Sequence, residues 1–337
     1  MNLNKNPQQV HYKALNELSP SFRYDGKESF KNWQKRAENR LISLMGYNKI
    51  IPASNDLFTI EYKKQYDTFT EYRFTFQSEN GYFVPCHLLV PNVAKEKLPL
   101  VVCLQGHSSG FHISLGRAVY EGDEDMIASG DRDFACQIIK EGYCALAIEQ
   151  RAFGECKGNY EGYPCILPSL TALLYGRTLL AERVFDVSRA LDVVLKNFEI
   201  INADKIACMG NSGGGTATLY ASIIDKRIKV AMPSCAVCTF KDSIGAMYHC
   251  TCNYVPGIAN DFDMGDLCGL IAPRKLIIVS GEKDGIFPKN GVEESFSIAK
   301  SYYINANTPN NIVWIEGKEG HRFYAKESWP KFHDFFD

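Results

Sequence analysis

One pentapeptide combines a nucleophilic side chain with glycines at the positions that a tight turn requires. Gly210-Asn211-Ser212-Gly213-Gly214 fits the pattern G-x-S-x-G and follows a short apolar run, residues 205–209. Residues 215–223 are mostly small and predict a helix directly after it. A strand that turns sharply into a helix strains the backbone of the serine and raises its hydroxyl above the sheet. The pattern therefore predicts Ser212 as a catalytic nucleophile.

A serine hydroxyl is a weak nucleophile at neutral pH, so Ser212 needs a base and an acid that orients the base. Residues 275–280 predict a buried strand, and the loop after them contains Glu282 and Asp284. The Gly-x-x-Asp-x-x-Phe-Pro pattern of this loop favours Asp284 as the acid, with Glu282 as the alternative. His321 follows the next predicted strand and precedes a C-terminal helix, so it is the predicted base.

Hydrolysis through a tetrahedral intermediate also requires donors for the oxyanion. The backbone N–H of the residue after the nucleophile, Gly213, is one predicted donor. Residues 100–104 predict another buried strand, and residues 105–110 form the loop that follows it. The backbone N–H of His107 in this loop is the predicted second donor. The His107 imidazole is expected to line the pocket without taking part in the chemistry.

Composition excludes several classes of function. The chain has 337 residues, of which 45% are hydrophobic and 23% charged, as in a globular protein with a large core. A net charge of −2 without long runs of like charge predicts no binding to nucleic acid or to an anionic membrane. No stretch predicts a membrane span or a secretory signal, so a cytoplasmic location is expected. The sequence is compatible with a homo-oligomer.

The twelve cysteines are expected to be reduced thiols, because no secretory signal is visible. Two spacings, Cys235-x-x-Cys238 and His249-Cys250-x-Cys252, could suggest a metal site. They do not form a standard pair of zinc-binding motifs. The sequence therefore predicts neither a metal nor a cofactor.

The order of predicted elements indicates the fold class. Residues 69–76 and 82–90 alternate like the strands of a hairpin, and buried strands then alternate with helices such as residues 179–198. This order predicts a mostly parallel central sheet with helices on both faces. Ligands are then expected beyond the carboxyl ends of the strands.

Two regions are expected outside that alternating core. Residues 1–70 predict an N-terminal helical extension, with a helix over residues 27–45, and residues 71–337 predict the catalytic domain. Within the predicted catalytic domain, residues 111–132 and 235–270 do not alternate between predicted strands and helices. They predict cap-like insertions that build the substrate pocket.

Taken together, these motifs resemble the alpha/beta hydrolase superfamily. Within it they resemble the bacterial acetyl-xylan-esterase-like, dienelactone-hydrolase-related group from about residue 70 to the end. The stretches that carry the resemblance are Gln105-Gly106-His107, Gln150 to Glu155, Gly210 to Gly214, Cys252 to Gly257, Leu270 to Arg274, Gly281 to Pro288 and Gly320-His321. The resemblance implies the alpha/beta hydrolase fold and a Ser-His-Asp triad. The chain has Gly213 where the xylan and cephalosporin deacetylases of this group carry Gln.

The expected function is that of a serine carboxylesterase that removes short acyl groups, with acetyl esters of sugars as the expected substrates. Its partner is then a small-molecule ester. A peptidase or amide hydrolase on the same fold is the first alternative, and a non-catalytic binding protein is the second. Fold alone does not decide between these functions.

Overall fold

Nine strands form one sheet within the described part of the chain. The structure is a computed structural model that describes residues 5–55, 57–92, 96–159 and 162–336. The strands are β1 (Phe58–Gln65), β2 (Phe69–Glu79), β3 (Tyr82–Pro91), β4 (Leu98–Leu104), β5 (Cys144–Ile148), β6 (Ile201–Asn211), β7 (Ile228–Ser234), β8 (Lys275–Gly281) and β9 (Ile312–Gly317). Their spatial order is β1-β2-β3-β5-β4-β6-β7-β8-β9.

Eleven α-helices accompany the sheet in the same described residues. They are α1 (Pro7–Glu17), α2 (Phe30–Met45), α3 (Asp123–Ala128), α4 (Phe134–Lys140), α5 (Ile166–Leu174), α6 (Leu179–Asn197), α7 (Gly213–Ile224), α8 (Ile258–Asp261), α9 (Met264–Gly269), α10 (Lys289–Asn305) and α11 (Ala325–Phe336). None of these helices has both the length and the apolar character needed to cross a bilayer.

The central strands are buried on both faces. In β4, Leu100 and Val102 pack into one apolar cluster, whereas Val101 and Cys103 pack into another on the opposite face. Helices α2, α6 and α7 contribute to the first cluster, and α4 and α11 to the second. Burial on both faces explains why the strands are continuous apolar runs. The predicted mostly parallel sheet with helices on both faces is confirmed.

The strand directions place four loops at one edge of the sheet. Strands β1, β2, β3 and β5 pair antiparallel, whereas β5, β4, β6, β7, β8 and β9 pair parallel. Asn211 in β6 pairs with Ser234 in β7, Ser234 pairs with Val279 in β8, and Val279 pairs with Ile315 in β9. The loops after these strands, which contain the predicted catalytic residues, therefore meet at the carboxyl edge.

The N-terminal region is less separate than predicted. Helix α2 matches the expected helix, but Trp33, Ala37 and Leu41 on it are buried in the same cluster as the central strands. Residues 1–70 also contain β1, which pairs with β2 over its whole length. This edge strand was missed because its seven residues after Phe58 are all exposed and largely polar, so no apolar alternation marks them.

The two insertions differ in how they pack. Residues 111–132 contain a 3₁₀ turn, Phe111–Leu115, and the short α3. The second insertion, residues 235–270, ends in α8 and α9, and Phe262 and Leu267 are fully buried in the main core. Its C-terminal part thus packs into the body of the domain.

Glu149 connects two loops at the carboxyl edge. It directly follows β5, is 1% exposed, and its Oε2 accepts backbone N–H groups from Phe111 and Glu155 at 3.2 Å. A Cβ on Gly154 would lie 2.0 Å from this oxygen, so the chain passes very close to it. Burial raises the pKa of Glu149 to about 8, although the two N–H donors oppose the shift. The side chain is therefore mainly protonated at neutral pH.

The substitution Glu149→Gln should make the protein more stable at pH 8. The pKa of Glu149 is raised from 4.5 to about 8 by folding, so unfolding releases a proton between these values and stability falls as pH rises through them. Glutamine keeps an acceptor oxygen and cannot ionise. Urea unfolding should give nearly equal stabilities at pH 5 and a gain on the order of 3 kcal/mol for the variant at pH 8. If the stability difference between the variant and the wild-type protein were the same at pH 5 and at pH 8, Glu149 would not be protonated in the folded protein.

Candidate active site

Ser212 lies at the sharp turn between β6 and α7. Its backbone has φ 57° and ψ −124°, a conformation that residues other than glycine rarely adopt. Its N–H donates to the carbonyl of Ser234 at 2.8 Å, and its own carbonyl accepts from the Thr216 N–H at 2.8 Å. The strained turn predicted from the sequence is therefore present, with hydrogen bonds on both sides of it.

Two glycines allow the backbones around this turn to come close together. A Cβ on Gly214 would lie 2.0 Å from the carbonyl oxygen of Leu104, the last residue of β4. A Cβ on Gly106 would lie 2.9 Å from the Cβ of Ser212. Any larger residue at either position would push the β4 loop away from Ser212, so these contacts explain the glycines.

Asp284 and His321 form a hydrogen-bonded pair at the same edge. The Nδ1 atom of His321 lies 2.8 Å from Oδ2 of Asp284. The other carboxylate oxygen accepts the backbone N–H groups of Ile286 at 2.8 Å and Phe287 at 3.1 Å. The Phe287 ring is stacked on the imidazole, with centroids 5.9 Å apart. Both carboxylate oxygens are thus satisfied, and the imidazole is held against an aromatic face.

The environment keeps Asp284 ionised. Burial alone would raise its pKa, but the hydrogen bonds from His321 and from two backbone N–H groups hold the pKa below its ordinary value. Glu282, the alternative acid, instead faces Lys318 at 3.4 Å on the surface. The structure brings Asp284, not Glu282, into contact with His321.

The predicted oxyanion donors lie next to each other. Gly213 is the first residue of α7, where a backbone N–H has no partner within the helix. The Nδ1 atom of His107 lies 3.0 Å from where a Cβ on Gly213 would be. Within the described residues, neither N–H donates to a protein acceptor. Neither N–H is therefore engaged by the described protein, as the predicted role of these groups as oxyanion donors requires.

Buried amides hold the loop that carries His107. The Nε2 of Gln105 donates to Ser114 Oγ at 2.9 Å and to the carbonyl of Arg132 at 2.6 Å. The side chain of Gln150 donates to the carbonyl of Gln105. Both glutamines belong to motifs of the sequence that predicted no role for them. In the structure, their hydrogen bonds hold the loop after β4 in place.

Two residues near the Asp284–His321 pair were noted in the sequence only as parts of possible metal-site spacings. Cys235, with φ 47°, follows β7, and its thiol donates to the carbonyl of Arg322 at 3.2 Å. Burial raises the pKa of this thiol, so it is neutral. His249 is buried and packs edge-on against Phe287 at 5.5 Å. Burial and the neighbouring histidines lower its pKa. The position of Cys235 directly after β7 could have indicated that residue, whereas no such signal exists for His249.

The His107 imidazole lies close to three thiols. Its Nε2 lies 3.3 Å from Sγ of Cys252 and 3.8 Å from Sγ of Cys165, and Cys250 Sγ lies 3.3 Å from Cys252 Sγ. All four ligand atoms lie within 4.8 Å of one another. Cys250 and Cys252 belong to a possible metal-site spacing in the sequence. Cys165 was not predicted to join them, because it is far from them along the chain.

Cavities open on both sides of the site. One of about 330 Å³ adjoins His107 and is bordered by Tyr120, Phe153, Lys157 and Tyr163. A second cavity of about 450 Å³ adjoins His321. Its lining comes from residues within 125–132 and from residues 319–322.

Several bulky residues of the predicted cap-like insertion 235–270 line cavities beside the N-terminal helix α1. Phe240 and Phe262 line a cavity with Leu15 of α1, and Phe262 packs on Phe22. Met247, Tyr248 and Tyr254 line a second cavity that also borders α1. This insertion therefore covers the N-terminal helices.

Comparison with known proteins is consistent with this geometry. YtaP, a candidate hydrolase of Bacillus subtilis (strain 168), is 25% identical over 240 residues, which cover 70% of this chain and 77% of YtaP. A solved structure of a candidate acetyl xylan esterase from Bacteroides fragilis NCTC 9343 matches with a TM-score of 0.76 at 18% identity, covering 93% of this chain and 83% of that chain. A glucuronoyl esterase from Solibacter usitatus matches with a TM-score of 0.72 at 13% identity, covering 94% and 96%.

At these identities the structural matches establish the fold alone, and it is that of alpha/beta hydrolases, as the sequence motifs predict. The model of one family extends over nearly the whole chain, from residue 8 to residue 328. Both the N-terminal helices and the predicted catalytic loops lie inside this match. The chain therefore belongs to the Abhydrolase family.

Proposed function

We propose that the protein is a serine carboxylesterase that hydrolyses short-chain acyl esters, with acetyl esters of carbohydrates as its substrates. The observation that carries the proposal is the strained Ser212 turn at the same sheet edge as the Asp284–His321 hydrogen bond. A nucleophile, a base and an acid in this chain order are the components of acyl transfer through a covalent intermediate.

The first half of the reaction forms an acyl-enzyme. The Oγ atom of Ser212 attacks the ester carbonyl, and Nε2 of His321 accepts the hydroxyl proton. The charge on Asp284 keeps the proton of the imidazole on Nδ1 and stabilises the imidazolium. The backbone N–H groups of His107 and Gly213 donate to the developing oxyanion. The imidazolium then gives its proton to the leaving alcohol.

The second half repeats these steps with water. His321 removes a proton from a water molecule that attacks the acyl-enzyme, and collapse of the second tetrahedral intermediate returns the proton to Ser212. The products are an alcohol and a carboxylate. The same donors serve both intermediates because the oxygen occupies the same place in each.

Two observations support a carbohydrate as the alcohol part. The cavity beside His107 presents aromatic side chains, Tyr120, Phe153 and Tyr163, whose faces suit the apolar face of a sugar ring. Proteins of similar structure are named as acetyl xylan and glucuronoyl esterases. For the acyl part, Phe153 packs against the His107 ring at 4.8 Å and lies close to Gly213, which leaves little room beside the oxyanion donors.

The substitution Ser212→Ala should abolish ester hydrolysis while the protein still folds. Removal of a catalytic serine of this kind lowers kcat by roughly 10⁶-fold. The measurement is p-nitrophenyl acetate hydrolysis by the purified variant, with circular dichroism as the control for folding. Near-normal turnover by a folded variant would contradict the assignment of Ser212 as the nucleophile, whereas absence of turnover in the folded wild-type protein would favour the binding-protein alternative.

Asp284→Asn and Glu282→Gln form a matched pair, because both remove one carboxylate charge from the same loop. The first should lower kcat by about 10⁴-fold, since an amide stabilises the wrong imidazole tautomer. The second should change kcat little, because Glu282 faces Lys318 at the surface. Equal losses in the two variants would show that general loop charge, and not the contact with His321, supports catalysis.

Acetyl and propionyl esters should be better substrates than octanoyl esters. Each methylene that does not fit an apolar pocket costs about 1–3 kcal/mol, so kcat/KM should fall by about 10-fold or more along the series. The series should be measured beside an acetanilide and an acetylated xylo-oligosaccharide. Fastest turnover of octanoyl esters would exclude a short-acyl esterase, and turnover of the anilide alone would favour the amide hydrolase alternative.

A further inference from the structure

Three thiols and one imidazole lie close together, and two of these residues, His107 and Cys165, also line the cavity of about 330 Å³. They are the side chains of His107, Cys165, Cys250 and Cys252, and their ligand atoms all lie within 4.8 Å of one another. We propose that these four residues form a structural zinc site. The proposal does not depend on the esterase activity, because none of the four side chains acts in the mechanism above.

The distances suit tetrahedral coordination. Bonds of about 2.3 Å from zinc to sulfur and about 2.0 Å from zinc to nitrogen place two sulfur atoms about 3.8 Å apart and a sulfur and a nitrogen about 3.5 Å apart. The structure has Nε2 of His107 at 3.3 Å from Cys252 Sγ and at 3.8 Å from Cys165 Sγ, and 3.3 Å between the sulfurs of Cys250 and Cys252. Shifts of a few tenths of an ångström would bring these three distances to the tetrahedral values, and the remaining ligand atoms lie within 4.8 Å of one another.

A buried arginine supplies an independent observation. Arg183 on α6 is 2% exposed, donates twice to the carbonyl of Arg151, and lies 3.3 Å from Sγ of Cys165. Its guanidinium is stacked over Phe153 at 4.0 Å. An arginine is always charged, and a buried charge is costly unless it is balanced.

No carboxylate among the described residues forms an ion pair with Arg183. The nearby acids, Glu79, Glu182 and Asp186, instead pair with Arg151 and Arg177. Zinc bound by three thiolates and a neutral imidazole has a single net negative charge. Such a complex in contact with the guanidinium through Cys165 would balance the charge of Arg183 locally.

The ligand set indicates a structural role. Four protein ligands leave no open position for water or substrate, and Cys165 and Cys252 are both only 3% exposed. The ligands come from the loop after β4, from the start of α5 and from the turn before α8. One ion would therefore join three segments that are distant along the chain. Binding would release the thiol protons to solvent.

The test starts with the full-length protein, purified under reducing conditions in the presence of zinc and then freed of loosely bound metal. We expect one zinc per chain by elemental analysis. Replacement by Co²⁺ should produce thiolate-to-metal charge-transfer absorption and the intense visible bands of tetrahedral cobalt. Absence of both zinc and this cobalt spectrum in the wild-type protein would overturn the proposal, whatever the variants do.

Variants then locate the metal. Cys165→Ser and Cys252→Ser should each lose most of the zinc, because either change removes a ligand. Cys136→Ser is the matched control, since Cys136 is a partly buried thiol outside the cluster, and it should keep one zinc per chain. If a ligand variant does not fold, the cobalt spectrum of the wild-type protein still decides the nature of the ligands.

Two other outcomes would also overturn the proposal. Cys235 lies with Asp284 and His321 in another group that could hold a metal. Zinc lost in Cys235→Ser but kept in Cys165→Ser would place the ion there. A mass two hydrogens lower in the reduced-purified protein, with a disulfide mapped to Cys250, would show that the cluster forms a covalent bond between thiols and not a metal site.

Discussion

The close contact between the end of β4 and the start of α7 is the constraint on which the site depends. A Cβ on Gly214 would come within 2.0 Å of the Leu104 carbonyl, so no other residue allows the two backbones to approach in this way. This contact places the loop with His107 beside Ser212. It also brings this loop to the N-terminus of α7, where the N–H of Gly213 has no partner within the helix. One backbone contact therefore positions Ser212 and the loops that carry both proposed oxyanion donors.

The parts of the site predicted from the sequence are those that local order determines. Ser212, Asp284 and His321 each follow a buried strand, and parallel strands bring their carboxyl ends to one edge, so chain order was sufficient to predict that their loops lie at the same edge of the sheet. The choice of Asp284 over Glu282 depended on a loop pattern, and the structure brings Asp284 into contact with His321. The alternation of strands and helices in the core was also predictable, because β4, β5 and β8 are largely apolar and buried.

Features that depend on distant contacts were not predictable in this way. The edge strand β1 is polar and exposed, and only its pairing with β2 shows it to be a strand. Insertion 235–270 has the bulky side chains expected of a pocket wall, but several of them pack toward α1. Cys165 lies 58 residues from His107, and Cys252 lies 145 residues from it. Spacing patterns within a single motif cannot find such a group.

His107 belongs to both the proposed esterase site and the proposed zinc site. Its Nε2 atom lies among the thiols of Cys165 and Cys252, and its backbone N–H is the proposed second oxyanion donor. A ligand bond at Nε2 would restrict the ring and, through it, the residue that carries the proposed donor. Preorganised donors are effective because they do not reorient during the reaction. The thiol cluster and the buried amides of Gln105 and Gln150 thus restrain the same short loop from two sides, which is what a fixed oxyanion donor requires.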